Sequence, residues 1–283
     1  MKERTPHKIF DSHQHFWRYT PQTHGWISDE MSVIRRDFLP DELESCFKEN
    51  NVFGCIAVQA DQTLEENEFL LDLANKHKFI KGVIGWVDFQ NDRVEEDIYH
   101  FNEIELMKGF RHIVQGEADV KFLLRPGFLE GIKLLEKYDF VYEILVFPHQ
   151  LQMVYEFVKM FPNVQFVLDH IAKPYIKEGY IEGWATMIKA LGKFDNLSCK
   201  ISGMVTEADY SNWSSEQIKP YIDVVLESFG PNRILYGSDW PVCLAAASYT
   251  EVLHLAKTMV HQLSPSEQDA FFYKNAERIY HVN

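Results

Sequence analysis

Residues 10–17 read FDSHQHFW, and within them His13 and His15 stand two apart. On an extended chain, positions i and i+2 point to the same side. Two imidazoles so placed can hold one metal ion, or one oxygen atom of a small molecule, between them. Further along, other chemically active side chains recur at the ends of short apolar runs: Gln59 and Asp61, Arg111 and His112, His149, then Asp169, His170 and Lys173, and finally Lys200 and Asp239. Charged and imidazole groups are costly to bury singly, so their repeated placement at run ends calls for a shared site. Taken alone, His112 or His149 is more simply a hydrogen-bonded structural histidine, and Lys200 reads equally as a core lysine in an ion pair. His24 and His254 fall in loop and helix contexts and are read as incidental; Asp88 and Asp119 are read as solvated or capping.

Eight apolar, β-branched runs can be marked: HKIFDSHQH, VFGCIAVQAD, IKGVIGWVDF, LMKGFRHIVQ, FVYEILVFPHQ, VQFVLDHIAKP, NLSCKISGM and RILYGSDWP. Their starts are roughly 25 to 45 residues apart, room for a strand, a helix and two loops. The stretches between them carry helical periodicity. LEENEFLLDLANKHK places Phe69, Leu70, Leu73 and Ala74 three and four apart, and SEQIKPYIDVVLESFG ends in Phe229-Gly230, a helix stop. PHQLQMVYEFVKMFP has the same period, and SPSEQDAFFYKNAERIY opens on Ser264 with a Glu three residues on. Strands that are apolar on both faces and alternate with helices predict a parallel sheet covered by helices. Eight units in 283 residues match the α/β class as a (β/α)8 TIM barrel, read as one domain over 1–283. A doubly wound open sheet competes, but it usually opens on a Gly-rich turn, which DSHQHF is not. In a barrel the run ends face one mouth, and the active groups would converge there.

The chain carries a formal net charge of −14, with 46% hydrophobic residues. Such an acidic balance argues against a general nucleic-acid footprint and against an anionic membrane surface. Cys46, Cys55, Cys199 and Cys243 form no CxxC pair and read as buried thiols of a reducing compartment. MKERTPHKIF has no apolar stretch long enough for a signal peptide, and no window approaches a membrane span. The expectation is a cytoplasmic protein with no nucleic-acid or membrane partner; oligomeric state is left open.

Four motifs, DSHQHFW, DHIAKP at 169–174, KISG at 200–203 and YGSDWP at 236–241, resemble the amidohydrolase superfamily. The nearest likeness is to its sugar-acid lactonase branch, the L-fuconolactonase and L-rhamnonolactonase type, which also includes 2-pyrone-4,6-dicarboxylate lactonase. The motifs spread over residues 11 to 241, and GSDWP combined with DxHxHFW is the most specific of them. The resemblance implies an amidohydrolase-like barrel in which His13 and His15 match the first-strand pair and His170 the later histidine. Asp239 matches the last-strand aspartate that handles the proton of the hydrolytic water. Binuclear members carry a carboxylated lysine or a glutamate at the fourth strand, where this chain has Arg111 and His112. A binuclear centre is therefore not expected, and the cofactor is either none or one divalent, zinc-like ion held by His13, His15, His170 and Asp239.

On that resemblance the expected reaction is hydrolysis of a small cyclic ester, a sugar-acid lactone, with Asp239 as general base. The oxyanion would be stabilised by a single metal, or by protonated imidazoles helped by Lys173 or Arg111. Arg111, His112, His149, Lys173 and Lys200 are the candidates for binding substrate. Trp17, Trp26 and Trp240 are candidate walls for a sugar ring. The alternative within enzymes is a metal-dependent nonoxidative decarboxylase of an aromatic or muconate-like acid; outside them, a non-catalytic binding protein on the same barrel.

Overall fold

Each of the eight apolar runs forms a strand in the computed structural model, which describes residues 8–282. His7 of the first run, and the ends of the 1–283 span at 1–7 and 283, lie outside the described residues. The strands are β1 (Ile9–Gln14), β2 (Val52–Val58), β3 (Ile80–Gly85), β4 (Met107–His112), β5 (Val141–Ile144), β6 (Phe166–Leu168), β7 (Leu197–Ile201) and β8 (Ile234–Tyr236). They pair in sequence order, every pair parallel. Parallel neighbours need a crossover, and each is helical: α1 (Pro40–Asn50), α2 (Leu64–Lys76), α3 (Val94–Asn102), α4 (Pro126–Tyr138), α5 (Leu151–Met160), α6 (Glu182–Leu191) and α7 (Ser215–Phe229). A further helix, α8 (Tyr249–Met259), follows β8. This is a (β/α)8 barrel.

The helix boundaries follow local chemistry. Thr63 caps α2 by accepting from the Glu66 N–H at 3.2 Å. At Ser264 the backbone N–H donates to the Glu267 carboxylate at 2.7 Å, opening the helical segment Pro265–Ile279. That last segment reaches beneath the barrel. Ala276, Ile279, Tyr280 and Val282 pack with Phe10, Ile56, Val58, Ile84, Val141, Val167 and Leu235 in an apolar cluster separate from the helix-facing core.

Strand alternation then decides what lies above this cluster. Two residues beyond Val141 on β5 comes Glu143; two beyond Val167, at the end of β6, comes Asp169. Lys200 on β7 and Arg111 on β4 join them, and Glu143, Asp169 and Lys200 are fully buried. The barrel interior therefore changes from apolar to ionic over about one strand turn, and the polar mouth begins there.

The sheet closes where β1 meets the chain after β8. The Asp239 N–H donates to the His13 carbonyl at 2.8 Å, and the His15 N–H to the Trp240 carbonyl at 2.7 Å. Closure of the barrel and assembly of the mouth are thus one event. Asp11, fully buried, fastens this seam: its carboxylate accepts from the N–H groups of His13 (3.1 Å) and Ser238 (2.9 Å) and from the Tyr249 hydroxyl (3.1 Å). Asp11→Ala leaves the buried N–H groups of His13 and Ser238 without their acceptor and is expected to cost about 2 kcal/mol, at roughly 1 kcal/mol each. Urea denaturation checks this, and a loss under about 1 kcal/mol would show that water replaces the carboxylate.

Candidate active site

Asp239, His13, His15 and His170 converge at the C-terminal mouth. The Nε2 atoms of His13 and His15 are 3.2 Å apart. The Asp239 Oδ1 lies 3.4 Å from His15 Nε2, 3.8 Å from His13 Nε2 and 3.9 Å from His170 Nε2. Above them opens a cavity of about 220 Å³, lined by His15, His170, Lys173, Asp239 and Arg111 on the polar side, with Trp17 and Trp26 among its walls.

Two local backbone features aim these groups. The chain after β6 turns left-handed at four consecutive non-glycine residues, His170 to Lys173 (φ 52, 49, 59 and 48°). For L-residues that conformation costs about 1–2 kcal/mol each, most for a branched residue such as Ile171. The Trp184 indole holds the turn by donating to the Ile171 carbonyl at 2.8 Å. The strained turn ends β6 after three residues and brings both His170 and Lys173 to the cavity. Gly203, the glycine of KISG, is the second feature. A Cβ there would stand 2.7 Å from His170 Nδ1, and its own φ is +69°, so only glycine leaves the imidazole its place.

Electrostatics divide the site. Burial pushes the His13 and His170 imidazoles well below their ordinary range, with Lys200 adding to the effect on His13. Burial thus works against protonation of both rings. For Asp239, burial favours the neutral acid, yet His170, His15 and Lys173 outweigh it and hold the carboxyl below its ordinary value. Burial likewise opposes the Lys173 charge, but Glu207, at 2.7 Å, and Asp239 keep its ammonium above the ordinary lysine range. An ionised carboxylate thus faces a lysinium across the cavity floor.

The donor set also fits a divalent cation. Atoms of His13, His170 and Asp239 lie within 4.8 Å of one another, and His15 Nε2 is beside them. His15 Nδ1 donates to the Val58 carbonyl at 2.8 Å, which turns its Nε2 toward Asp239, and His170 Nδ1 lies 2.9 Å from the Ser202 hydroxyl. A second metal-capable group, His13 with Glu143 and Asp169, surrounds the Lys200 ammonium, which already supplies a cation there.

The other expected substrate-binding residues are placed as follows. Arg111 lines the cavity while its guanidinium donates to Asp169 (3.0 Å) and Gln59 Oε1 (3.0 Å). Lys200 is fully buried below the cavity, bound to Glu143 at 2.6 Å. His112 accepts from the Trp86 indole, contacts Glu117 at 2.8 Å and stacks on Phe122, and is not in the cavity lining. His149 is exposed and stacked on Phe147. Trp26 lines the mouth and Trp240 does not; it is buried between Phe16 and Phe38.

Sequence reasoning missed Gln115 and the role of Asp169. Gln115 ends the fourth apolar run and lines the cavity, with a buried Oε1 that has no hydrogen-bond partner. Its only signal was its position past a barrel strand. Asp169 was visible in DHIAKP, but nothing in one sequence shows that it reaches both Arg111 and Lys200.

The fold and this mouth define an amidohydrolase, and the chain belongs to the amidohydrolase family, whose profile matches residues 10–282. It is 38% identical over 281 residues, 95% of each chain, to an L-fucono-1,5-lactonase of Burkholderia multivorans. It is 23% identical over 211 residues, 64% of this chain and 61% of the relative, to an L-rhamnono-gamma-lactonase of Scheffersomyces stipitis. A crystal structure of an amidohydrolase from Burkholderia multivorans with bound zinc superposes with a TM-score of 0.94 at 37% identity, covering 98% of this chain and all of that one.

Proposed function

We propose that this chain hydrolyses a sugar-acid lactone, with Asp239 as general base. The observation that carries the reading is a buried Asp239, beside three histidines, at a cavity of about 220 Å³ that Lys173 and Arg111 also line, a volume suited to one small ring. The similarity to lactonases over nearly the whole chain supports the substrate class. The net charge of −14 fits a small-molecule partner better than a nucleic acid.

In this scheme a water molecule beside Asp239 gives its proton to the carboxylate as its oxygen adds to the ring carbonyl. Negative charge collects on the former carbonyl oxygen, where the Lys173 ammonium and the Arg111 guanidinium supply the compensating field. When the intermediate collapses, the ring C–O bond breaks and the departing alkoxide takes the proton from Asp239, leaving an open hydroxy acid. His15 and His170, each with its Nδ1 engaged by Val58 or Ser202, border the reacting atoms. A divalent cation held by His13, His15, His170 and Asp239 would add Lewis acidity at the carbonyl or the water when bound. Trp17 and Trp26, with ring centroids 6.0 Å apart and edge to face, form an apolar corner for the carbon face of a sugar ring.

A pH-indicator screen of L- and D-aldonolactones, run on chelated protein with and without added divalent metal, tests the reading. Acid release from at least one aldonolactone is expected. Inactivity on the whole panel, with carbon dioxide released from an aromatic acid, would replace it with the decarboxylase. Gln115 lines the cavity, and its side-chain amide is suited to a substrate hydroxyl. Gln115→Ala is expected to raise KM about fivefold, one neutral hydrogen bond, with kcat nearly unchanged. An unchanged KM would remove Gln115 from substrate recognition.

A further inference from the structure

One wall of the cavity comes from the chain just past β4, where Ile113, Gln115 and Gly116 line the mouth. A loop in that place is ordinarily mobile, with its polar groups turned to water. This one is held from two sides. The Ile113 N–H donates to Gln62 Oε1 at 2.7 Å, from the segment after β2, and the Gln115 N–H to the Leu145 carbonyl at 3.0 Å, just past β5. Gln150, fully buried, donates to the Val114 carbonyl at 2.8 Å while its Oε1 accepts from the Phe147 N–H at 2.9 Å. These anchors grip residues 113 to 115. The far end of the wall is held by a side chain, Glu117, whose Oε1 lies 2.8 Å from His112 Nε2.

That tie is the last link of a chain that starts in the helix layer. Asn67 of α2, fully buried, grips the Trp86 main chain twice, accepting from its N–H and donating to its carbonyl, each at 2.7 Å. The Trp86 indole can only donate, and it gives its proton to His112 Nδ1 at 3.1 Å. An imidazole that accepts at Nδ1 has its proton on Nε2, and that proton meets the Glu117 carboxylate. Phe122 stacks on the ring with centroids 4.5 Å apart and planes within 17°, which fixes its orientation. Both nitrogens of His112 are therefore engaged by the protein, and neither faces the cavity.

We infer that His112 is a positioning residue: through Glu117 it fixes residues 113–117 as a set wall of the cavity and determines where Gln115 stands against the substrate. Its effect on the reaction passes through the loop, with no contact to the reacting atoms. The hold on the loop is independent of what is bound; only its kinetic consequence rests on the lactone reading.

Two measurements on the full-length chain test it. His112→Phe keeps a ring to stack on Phe122 but loses both hydrogen bonds; Glu117→Leu loses the second alone, and Glu117→Gln keeps an acceptor for Nε2. Hydrogen exchange read by mass spectrometry needs no substrate. Peptides covering 113–117 are expected to exchange about fivefold faster in His112→Phe and Glu117→Leu, the scale of one hydrogen bond, with Glu117→Gln near wild type and the strands unchanged. Unaltered exchange at 113–117 would overturn the inference. Faster exchange across the whole barrel in both variants would do the same, by making the contact a general support of the fold. Should His112→Phe fail to fold, Glu117→Leu, at the partly exposed end of the link, carries the comparison. In lactone hydrolysis, His112→Phe is expected to raise KM about fivefold, as Gln115→Ala does, with kcat within about twofold. Added to Gln115→Ala it should raise KM less than about twofold further, because the two act through one contact. Effects that multiply in full would sink the link to Gln115. If no aldonolactone is hydrolysed, the lactone reading falls and the exchange measurement alone decides the role of His112.

Discussion

Asp239→Asn is expected to lower kcat for lactone hydrolysis at least about 100-fold, the lower end of what a positioned general base contributes. The substitution is clean for a backbone reason. Asp239 has φ 58°, a left-handed conformation that asparagine tolerates better than most residues. Its N–H bond to the His13 carbonyl, which closes the barrel, belongs to the main chain and survives. The amide keeps the side chain's size but cannot accept a proton from water. KM and the urea midpoint should therefore change little while turnover collapses. Because His170, His15 and Lys173 hold the wild-type carboxyl below its ordinary value, against the pull of burial, the base is ready throughout the neutral range. The acid limb of the kcat/KM profile should accordingly fall below the usual carboxylate range. Activity within threefold of wild type would assign the proton transfer to another group.

The strand count, strand order and location of the mouth were legible in the sequence because they rest on patterns with a short period. Apolar runs at regular spacing predict a covered parallel sheet, and eight parallel strands joined in order by seven crossovers match a closed barrel. Each run contains its strand, though β6 stops at Leu168 while the run VQFVLDHIAKP continues to Pro174. Hydrophobic pattern could not show that stop, because Ile171 and Ala172 remain buried after the chain has left the sheet in its left-handed turn.

Within the mouth, residue type announced the groups but not their depth. Arg111 and Lys200 look alike in sequence, each a cation on a barrel strand. Alternation puts both inside the barrel, but Arg111 stands high enough to border the cavity and Lys200 does not. That height depends on strand stagger, which no local pattern encodes. His112 and His149 followed the same run-end rule as His170. They are turned away because Glu117 and Phe122 receive the first and Phe147 the second, from loops whose course was unreadable. Glu143 drew no notice in sequence, yet it takes the shortest bond from Lys200 and a further one, at 2.6 Å, from the Tyr280 hydroxyl of the C-terminal segment.

That ionic layer carries the other large effect. Asp169→Ala is expected to destabilise the fold by about 3–5 kcal/mol, the loss usual when one partner leaves a buried ion network. Asp169 is fully buried, with Oδ2 at 3.0 Å from Arg111 and Oδ1 at 3.2 Å from Lys200. Lys200 keeps Glu143 after the substitution, so the loss falls chiefly on Arg111, whose remaining partners are the acceptors of Gln59 and His13 Nε2. Asp169→Asn, which retains an acceptor but no charge, should cost less than the alanine variant. The pH dependence has a definite sign. Burial alone would raise the Asp169 carboxyl, but Lys200, His13 and Arg111 hold it well below its ordinary value. An acid whose folded pKa is depressed stabilises the fold fully above its unfolded pKa, about 3.9 for aspartate, and progressively less as pH falls through the folded value. Urea denaturation at several pH values should then show the gap between wild type and Asp169→Ala narrowing below about pH 4, whereas between pH 8 and pH 5 Glu143, its carboxyl pushed up to about 7 chiefly by burial, titrates as well. A gap that instead went on widening below about pH 4 would mean that Asp169 is not the ionised anchor of the network.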